Sequence, residues 1–391
     1  MPITIITGSK RLAVQGGKRM VISAAISGGG GGGGGSAYGL LGDGTRDKLL
    51  WPFASNSIWN TPIGTGASLV AAPVTFGYHD GNQTRLLLED EFLFMNPSES
   101  ATCTVKYSPA EWTGADRCPP SGSGGGFPLV VRMPSGFTVP SNGENNCTAW
   151  IDPDGQTIYQ IEPLARCSAG GDGTAFVRFS DEDIYLDGEN GAHGGSNLSA
   201  LGGTIRYGEL TDAITNGRTY LRHALKVNLQ ATYYYYWGGG GSGNSWRWPA
   251  TTDDGYANGT TYGGSNSNVK PGALLTLHSS FNVAALRTDS GKILAETFKR
   301  FGAYCVDDTY QNGMAIAIEN GPAGSVASEF LGHEGVTWRQ TPSNYASAVD
   351  WYKDIADLAA GFYVVSNNSP GAIGGGGSPA YGTPTAPAIG N

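Results

Sequence analysis

The residue types best suited to chemistry in this 391-residue chain lie in the segment RHALKVNLQATYYYY, from Arg222 to Tyr236. Side chains alternate between the two faces of a β-strand, so a strand here would have one apolar face that includes Leu225 and Val227. His223 has the parity of that face, which predicts a buried structural histidine. The other face would be a row of hydrogen-bond donors, acceptors and phenol rings: Arg222, Lys226, Asn228, Gln230, Thr232, Tyr234 and Tyr236.

A polar and aromatic row of this kind suits a carbohydrate. Sugar hydroxyls need both donors and acceptors, and the C–H faces of sugar rings pack on aromatic rings. The loop NSWRWPATTDDGYANGTTY follows closely and adds further Trp and Asp side chains. A half-solvated strand of an antiparallel sheet has the same alternation without any ligand. Our prediction is a glycan-binding face formed by Arg222, Lys226, Asn228, Gln230, Tyr234, Tyr236, Trp246, Trp248 and Asp253.

Two kinds of enzyme chemistry are alternatives to binding alone. A glycoside hydrolase needs two carboxyl groups at the scissile bond, and the chain offers Asp253, Asp254, Asp307, Asp308 and Glu319. A polysaccharide lyase needs a cation for the uronate carboxylate and a base for the adjacent proton. The candidates for that chemistry are Arg206, Arg222, His223, Lys226 and Tyr234. A Ser/His/Asp hydrolase has less support, since Ser196 near His193 lies in no GxSxG motif.

The sequence predicts no cofactor and no metal site. It has neither a GxGxxG motif before a helix nor GxxxxGK followed by Ser or Thr. The glycines of HGGSNLSALGG, which starts at His193, are interpreted as structural turns. The cysteines form no CxxC pair. An acidic cluster could bind calcium, but its spacing does not match an EF-hand and a solvated turn is favoured for its members Asp181, Asp183, Asp187 and Glu189.

Five cysteines are present: Cys103, Cys118, Cys147, Cys167 and Cys305. Pairs between Cys103 and Cys118 and between Cys147 and Cys167 would each close a short loop, as suits an oxidising environment. Cys305, in the apolar segment AYCV, would then be a buried thiol. Five free thiols in a cytosolic fold are the alternative, because connectivity cannot be read from the sequence.

Composition and charge exclude several functional classes. The net charge of −9 and the pI near 5.0 argue against a nucleic-acid-binding surface. No apolar run approaches the roughly 18 to 20 residues needed to insert into a membrane. Lys18 and Arg19 precede the apolar run MVISAAIS, but this run ends in glycine rather than at a cleavage site, so we expect it to be retained.

The chain is predicted to have four parts. Residues 1–27 are too few to hold a core and are predicted to be an anchoring segment that docks on a partner. Residues 28–36 are a polyglycine tether. Residues 50–370 are predicted to be a distal β-rich domain, and 371–391 a Gly/Pro-rich tail that is loose or bound to a partner.

Local patterns predict the fold class. The chain has 62 Gly and 21 Pro with only 15% charged residues, which favours many short strands joined by tight turns. DPDGQTIYQIEP predicts a hairpin that turns at Asp154 and Gly155. SGKILAETFKRFG and about 345–360 predict amphipathic helices. Our prediction is a mainly β fold, a jelly-roll-like antiparallel sandwich with two packed helices, plus a short N-terminal β anchor.

Several segments carry a family resemblance over most of residues 50–370. WPFASNSIWNTPIG, HGGSNLSALGGTIRYGEL, RHALKVNL, WRWPATTDDGYA, GALLTL and RFGAYCVDDT resemble an uncharacterised family of secreted bacterial β-rich proteins, often found beside carbohydrate-binding modules. The order RYGEL then RHALKVNL is also similar to alginate-lyase-type jelly rolls, which carry R-x-E-L and Q-I/V-H strands. Here the Arg-to-Glu spacing is longer by one residue, and neither QIH nor QVH occurs.

The overall plan resembles bacteriophage tail-fibre and spike proteins, because a short anchor and polyglycine precede a Gly/Ser/Asn/Tyr-rich body. This resemblance implies an extracellular, virion-associated adhesin that binds a bacterial surface polysaccharide for host attachment. Residues 1–27 would contact other virion proteins, and display as a homo-oligomer would raise avidity for a weakly bound sugar. A polysaccharide depolymerase, by lyase or glycoside hydrolase chemistry, and a structural virion decoration protein are the alternatives, so whether the protein is an enzyme stays open.

Overall fold

The computed structural model describes residues 38–75, 85–309 and 313–390, and the backbone of four short strands before residue 21. The chain divides into two units, 1–36 and 37–391. The predicted tether, 28–36, lies outside the described residues. In the first unit, two antiparallel pairs are described: β1 (Ile6–Thr7) with β2 (Lys10–Arg11), and β3 (Ala13–Gln15) with β4 (Lys18–Met20).

The described residues of the second unit, which we call the body, contain the remaining strands and five α-helices. The strands are β5 (Leu69–Ala71), β6 (Arg85–Phe94), β7 (Thr102–Tyr107), β8 (Leu129–Arg132), β9 (Thr148–Ile151), β10 (Thr157–Glu162), β11 (Gly173–Ala175), β12 (Val177–Arg178), β13 (Glu182–Asp183), β14 (Leu225–Leu229), β15 (Leu274–Leu277), β16 (Ala303–Asp308), β17 (Gly313–Gly321), β18 (Gly324–Ser325) and β19 (Phe362–Val365). The helices are α1 (Glu209–Thr215), α2 (Ala231–Tyr234), α3 (Asp289–Arg300), α4 (Val326–Glu334) and α5 (Asp350–Ala360). Among the described residues, no helix combines the length and the apolar character that a membrane span requires.

Most of these strands form one large mixed sheet, in the order β12-β10-β9-β6-β17-β14-β16-β15-β19-β5, with β13 beside β10 and β18 beside β17. The prediction of a mainly β fold is confirmed. The predicted antiparallel arrangement is wrong, because β6 pairs in parallel with both β9 and β17, and β14 pairs in parallel with β16. Parallel neighbours need long crossover connections. The jelly-roll arrangement is therefore not confirmed.

One face of the large sheet is apolar and is covered by helices at one end. On β17, Met314, Ile316 and Ile318 belong to the same core cluster as residues of α1, α3, α4 and α5. Helix α3 turns Ile293 and Phe298 towards this core, as its amphipathic pattern predicts. Each such side chain stabilises the fold by about 1.5–3 kcal/mol when fully buried. The second predicted helix is also present as α5, although it begins later than predicted.

The other end of this face is covered by a small sheet with the order β11-β7-β8. The rings of Phe94 and Trp150 stack there, with their centroids 5.4 Å apart. The predicted hairpin is confirmed, since β9 and β10 pair antiparallel with Ile151 opposite Ile158. Gly155 in its turn has φ 68°, a left-handed conformation that favours glycine.

The predicted cysteine pairs are wrong. A disulfide joins Cys118 to Cys167, whereas Cys103, Cys147 and Cys305 are buried free thiols. The expectation of a buried thiol at Cys305 is therefore confirmed. Cys147 packs against Glu162 and His193, so its position follows from the sheet and not from a loop-closing bond.

Residues 371–390 pack on the rest of the body, whereas we predicted a tail that is loose or bound to a partner. The N–H groups of Gly64 and Gly66 donate to the carbonyls of Gly374 and Gly376, both at 2.9 Å. A Cβ on Gly64 would lie 1.9 Å from the Gly376 oxygen, so the contact requires glycine at this position. Low apolar content does not prevent this packing, because backbone hydrogen bonds hold the segment.

Candidate functional site

The second face of the large sheet carries charged side chains at its centre, which is uncommon for a buried surface. There β17 lies between β14 and β6, and it presents Ala315 and Ala317 between their polar side chains. Strands two positions apart are separated by about 9–10 Å, so their side chains meet only over small residues. Asn228 of β14 reaches across, and its Nδ2 donates to Glu89 Oε2 of β6 at 3.0 Å. The alanines of MAIAIEN therefore make room for a polar layer.

A β-bulge brings Asp307 into this layer. Val306 packs in the core on this face, so simple alternation would turn Asp307 to the opposite face. The register shifts here, however, because Val227 pairs with Cys305 and Asn228 pairs with Asp307. The extra residue reverses the alternation, as bulges do. Asp307 consequently lies on the same face as Asn228.

Eight side chains, each at most 8% exposed as residues, form what we call the ionic layer: Glu89, Glu91, Cys147, Glu162, His193, Lys226, Asn228 and Asp307. They come from β6, β10, β14 and β16, from the residue before β9, and from the segment between β13 and α1. The layer contains four carboxyl groups but only one lysine and one histidine. It is therefore rich in potential negative charge.

Glu91 is the centre of the ion pairs in this layer. Its Oε1 lies 2.9 Å from His193 Nε2 and 3.1 Å from Lys226 Nζ. Lys226 Nζ also donates to the carbonyls of Ser199 and Ala200, both at 2.7 Å. Buried charges need such partners, because each loses its hydration.

A thiol, an imidazole and two carboxyl groups meet around one point beside Glu91. Cys147 Sγ lies 3.6 Å from His193 Nδ1 and 3.4 Å from Glu162 Oε1. His193 Nδ1 lies 3.4 Å from Asp307 Oδ2. One donor atom each of Cys147, Glu162 and Asp307 lies within 4.8 Å of the other two. Four side chains with three kinds of chemical group therefore share one small volume.

Two glycines allow the backbone to close over these groups. The N–H of Gly194 donates to Glu162 Oε2 at 3.0 Å. A Cβ on Gly195 would lie 2.7 Å from Asp307 Oδ1 and 3.2 Å from both carboxylate oxygens of Asp254. The glycines of HGGSN, which we interpreted as turns, thus permit a close approach to carboxyl groups. The carboxyl groups of Asp254 and Asp307 therefore both lie beside the Cα of Gly195.

Burial and nearby charges control the protonation of Glu162, Cys147 and His193. Burial, and then the charge of Asp307, raise the pKa of Glu162 well above its usual value. Burial, and then Glu162, do the same to the pKa of the Cys147 thiol. Burial disfavours the charged form of His193, but Glu91 and Asp307 outweigh it and raise the pKa of that imidazole. Carboxyl groups this close cannot all be ionised unless a cation neutralises them.

The ionic layer meets solvent beside the loop between α2 and β15. Tyr262 donates its hydroxyl to Asp254 Oδ2 at 2.7 Å, and Tyr256 donates to Asp308 Oδ2 at 2.9 Å. Tyr256 also contacts Asp254 and is 52% exposed. Burial, followed by Asp307, raises the pKa of Asp254 to about 8, and burial raises the pKa of Asp308 to about 6. We call Asp254, Tyr256, Tyr262 and Asp308 the rim.

The predicted long two-faced strand is wrong, and the predicted glycan-binding row does not form. β14 ends at Leu229, and helix α2 follows because Asp308 Oδ1 accepts the N–H of Ala231 at 2.6 Å. Lys226 and Asn228 are completely buried in the ionic layer. Gln230 precedes α2 as its N-terminal cap residue.

The other residues predicted to bind a glycan make contacts within the protein. Tyr234 donates to the Thr75 carbonyl at 2.9 Å and packs in the core beneath the helices. The guanidinium carbon of Arg222 lies 5.4 Å from the centroid of a ring of Trp51, and Lys270 Nζ lies 5.3 Å from that of Tyr236. Asp253 accepts from the Ser245 hydroxyl, Trp248 donates to Glu189 Oε2 at 3.2 Å, and the Trp246 carbonyl accepts from Gly243. Their role in binding a glycan stays a prediction.

Three of the five acids proposed for glycoside hydrolysis come together in this region: Asp254, Asp307 and Asp308. The other two do not join them. Asp253 faces Ser245, and Glu319 Oε2 pairs with Arg206 Nε at 2.7 Å. The fold therefore brings together three of the five candidate acids, which could not be distinguished from the sequence alone.

His223 is a structural residue, as its parity predicts. It is buried, its Nε2 lies 3.0 Å from Glu209 Oε2, and its Nδ1 lies 2.8 Å from the Ala224 carbonyl. Arg206 is likewise held by Glu319. Lys226 is buried as well. Arg206, His223 and Lys226, which we considered for lyase chemistry, are therefore paired with other groups inside the protein.

Sequence reasoning missed most of the ionic layer. One signal was available, because RLLLEDEFLF places Glu89 and Glu91 two residues apart on one face of an apolar strand. Buried carboxylates are rare unless they are paired or functional. Cys147, Glu162 and His193 gave no local signal, since each comes from a different element.

Comparisons of the chain with protein-family models, with curated proteins and with solved structures found no match.

Proposed function

We propose that the body is a carbohydrate-cleaving enzyme whose catalytic groups lie in the rim. The observation that supports this proposal is the convergence of Asp254, Asp307 and Asp308 with Tyr256 where the ionic layer meets solvent. Catalytic groups need both a dry environment and access to substrate, and this boundary provides both. The rim therefore has the residue types that glycosidic cleavage requires.

Asp254 and Asp308 are the proposed catalytic pair. Hydrolysis needs one carboxyl group to protonate the leaving oxygen and a second to attack the sugar or to activate water. Tyr256 contacts both carboxyl groups, and Tyr262 fixes Asp254. The half-exposed ring of Tyr256 offers a surface on which a sugar ring can pack.

The proposed substrate is a bacterial surface polysaccharide, so the protein would act as a depolymerase. Its acidic net charge of −9 does not favour a polyanion at long range. A neutral polysaccharide is therefore preferred to a strongly acidic one. In this proposal, residues 1–27 attach the enzyme to a virion or a similar extracellular assembly.

Incubation of the full chain with capsular polysaccharides and exopolysaccharides tests this function. New reducing ends are expected, and Asp254→Asn or Asp308→Asn should each lower the rate by about 100-fold or more. Asp253→Asn is the matched control and should retain activity, because Asp253 binds Ser245 outside the rim. An unsaturated uronate product would indicate elimination instead. Absence of cleavage of every polysaccharide that the protein retains would contradict the proposal.

A non-catalytic adhesin is the second candidate. It is favoured by the partial exposure of Trp246 and Trp248, which precede Asp254 in the same loop. Exposed aromatic rings can hold sugars without cleaving them. Retention of a polysaccharide without cleavage, lost in Trp246→Ala and Trp248→Ala but kept in Asp254→Asn, would support the adhesin. A decoration protein would show neither retention nor cleavage.

A further inference from the structure

Four candidate ligand atoms meet in the ionic layer: Cys147 Sγ, Glu162 Oε1, His193 Nδ1 and Asp307 Oδ2. The measured separations are 3.6 Å between sulfur and nitrogen, 3.4 Å between sulfur and the Glu162 oxygen, and 3.4 Å between nitrogen and the Asp307 oxygen. We propose that these four residues bind one divalent transition-metal ion, and that zinc fits best.

The three measured separations lie in the range expected between ligands of one tetrahedral zinc ion. Zinc lies about 2.3 Å from a cysteine sulfur and about 2.0–2.2 Å from histidine nitrogen or carboxylate oxygen, which places neighbouring ligand atoms about 3.4–3.6 Å apart. A thiol hydrogen bond to Glu162 would give a similar sulfur–oxygen distance. Hydrogen bonds between Cys147 and His193 and between His193 and Asp307 would give the other two distances. One central cation gives all three separations at once, and metal uptake distinguishes it from hydrogen bonds alone.

The groups behind these atoms are those that usually support a metal site. A histidine ligand commonly donates its second ring N–H to a carboxylate, which fixes the ring and leaves the other nitrogen free to bind metal. His193 Nε2 lies 2.9 Å from Glu91 Oε1, which is also 3.1 Å from Lys226 Nζ. The N–H of Gly194 holds the other oxygen of Glu162, and Asn145 Nδ2 donates to Asp307 Oδ2 at 3.2 Å.

Glu91 gives a second, independent indication. The residue is completely buried, and its Oε1 is paired with His193 Nε2 and Lys226 Nζ, yet neither of its oxygens makes a hydrogen bond of good geometry among the described residues. A buried carboxylate in this state is costly unless strong charges nearby compensate for it. A cation on His193 would polarise the ring and strengthen its contact with Glu91.

The ligand types select the class of metal. Calcium and magnesium prefer sites made only of oxygen atoms, whereas a cysteine sulfur and a histidine nitrogen favour zinc or a similar ion. The ligands come from β10, β16, the residue before β9, and the segment between β13 and α1. The site is therefore assembled by the fold, which explains why the sequence shows no metal-ligand spacing.

Zinc chloride alone is the probe for this site. The full chain, stripped with a chelator and then incubated with zinc chloride, should retain about one zinc ion per chain after gel filtration. Cobalt(II) in place of zinc should give a thiolate-to-cobalt charge-transfer band. Cys147→Ala should abolish that band, whereas Cys305→Ala should keep it, because Cys305 is a buried thiol on the opposite face of the sheet.

Glu91→Gln provides a second variant that retains all four ligands. It should weaken zinc binding by about 10- to 100-fold, and it serves as the test where Cys147→Ala does not fold. A folded, stripped wild-type chain that takes up no zinc and gives no cobalt band would overturn the proposal. Equal uptake by wild type and Cys147→Ala would do so as well. The readouts are metal content and absorption, so this inference does not depend on the proposed carbohydrate cleavage.

Discussion

Lys226 shows what one buried charge requires of its surroundings. Its ammonium group is completely buried and contacts Glu91 and two backbone carbonyls. Removing one member of a buried ion pair leaves the other without compensation. We expect Lys226→Met to lower the free energy of unfolding by about 3–5 kcal/mol, as measured by urea unfolding followed by tryptophan fluorescence.

Lys292→Met is the control for this prediction. Its side chain is 41% exposed and lies 3.7 Å from Asp289, and such surface pairs contribute no more than about 1 kcal/mol. Adding Glu91→Gln to Lys226→Met should restore part of the lost stability, because it removes the unpaired charge. A Lys226→Met protein as stable as wild type would show that the pair makes no net contribution.

His223 and Glu209 form a second buried pair, and its charges depend on pH. Burial disfavours the charged imidazole, but Glu209 outweighs it, so the pKa of His223 is raised above 6.5. Burial also opposes ionisation of Glu209, but His223 outweighs it, so the pKa of Glu209 is lowered below 4.5. The charges of Arg206 and Arg218 also act on this pair.

The stability that this pair contributes should be greatest between about pH 4.5 and about pH 6.5, the ordinary pKa values of Glu and His. A raised histidine pKa gives stability that is complete below about 6.5 and is lost as pH rises through the folded-state pKa. The lowered pKa of Glu209 gives stability that is complete above about 4.5 and is lost as pH falls. From about pH 6 to about pH 9, the melting temperature of wild type should therefore fall more than that of His223→Gln. Parallel curves for the two proteins would refute this assignment.

Strand β17 separates an apolar environment on one face of the sheet from a charged one on the other. Met314, Ile316 and Ile318 face the helices, whereas Ala315 and Ala317 face the ionic layer. A larger side chain at Ala317 would displace the groups that meet above it. We expect Ala317→Leu to lower the free energy of unfolding by about 1–3 kcal/mol in urea, as overpacking does.

The matched control for Ala317→Leu is Ala360→Leu. Ala360 is the exposed last residue of α5, and a surface substitution there should change stability by less than about 0.5 kcal/mol. If both variants unfold at the wild-type urea concentration, the space above β17 is larger than the contact between Asn228 and Glu89 indicates.

Elements whose pattern is local could be predicted from the sequence. The hairpin at Gly155 and helix α3 depend on turn chemistry and on helical periodicity, and both are present. The end of β14 could not be predicted, because Asp308 binds the first N–H of α2 from 77 residues away. The bulge before Asp307 is also a property of the pairing between two strands. Alternation along either strand alone gives the wrong face for this residue.

Contacts between segments that are distant in the sequence determine which residues form the candidate site. The acids of the candidate site were visible as residue types, but their grouping depends on the order of the strands in the mixed sheet. The disulfide between Cys118 and Cys167 spans 49 residues, and its pairing cannot be deduced from the positions of the cysteines in the sequence. Composition correctly predicted a mainly β protein. It could not predict parallel pairing, which depends on long crossover connections.

The C-terminal segment is the strongest whole-molecule departure from the sequence prediction, and it leads to a test. The buried guanidinium of Arg46 donates to the Pro387 carbonyl at 2.6 Å, and the Arg46 N–H donates to the Ala388 carbonyl at 2.9 Å. Hydrogen bonds from charged groups contribute about 1.5–3 kcal/mol each. A chain that ends after Ser378 should therefore unfold with a free energy lower by at least about 2 kcal/mol in urea. Removal of Asn391 alone is the control, since it leaves both contacts in place. Equal stability of the two shortened chains would mean that this segment lies on the body without stabilising it.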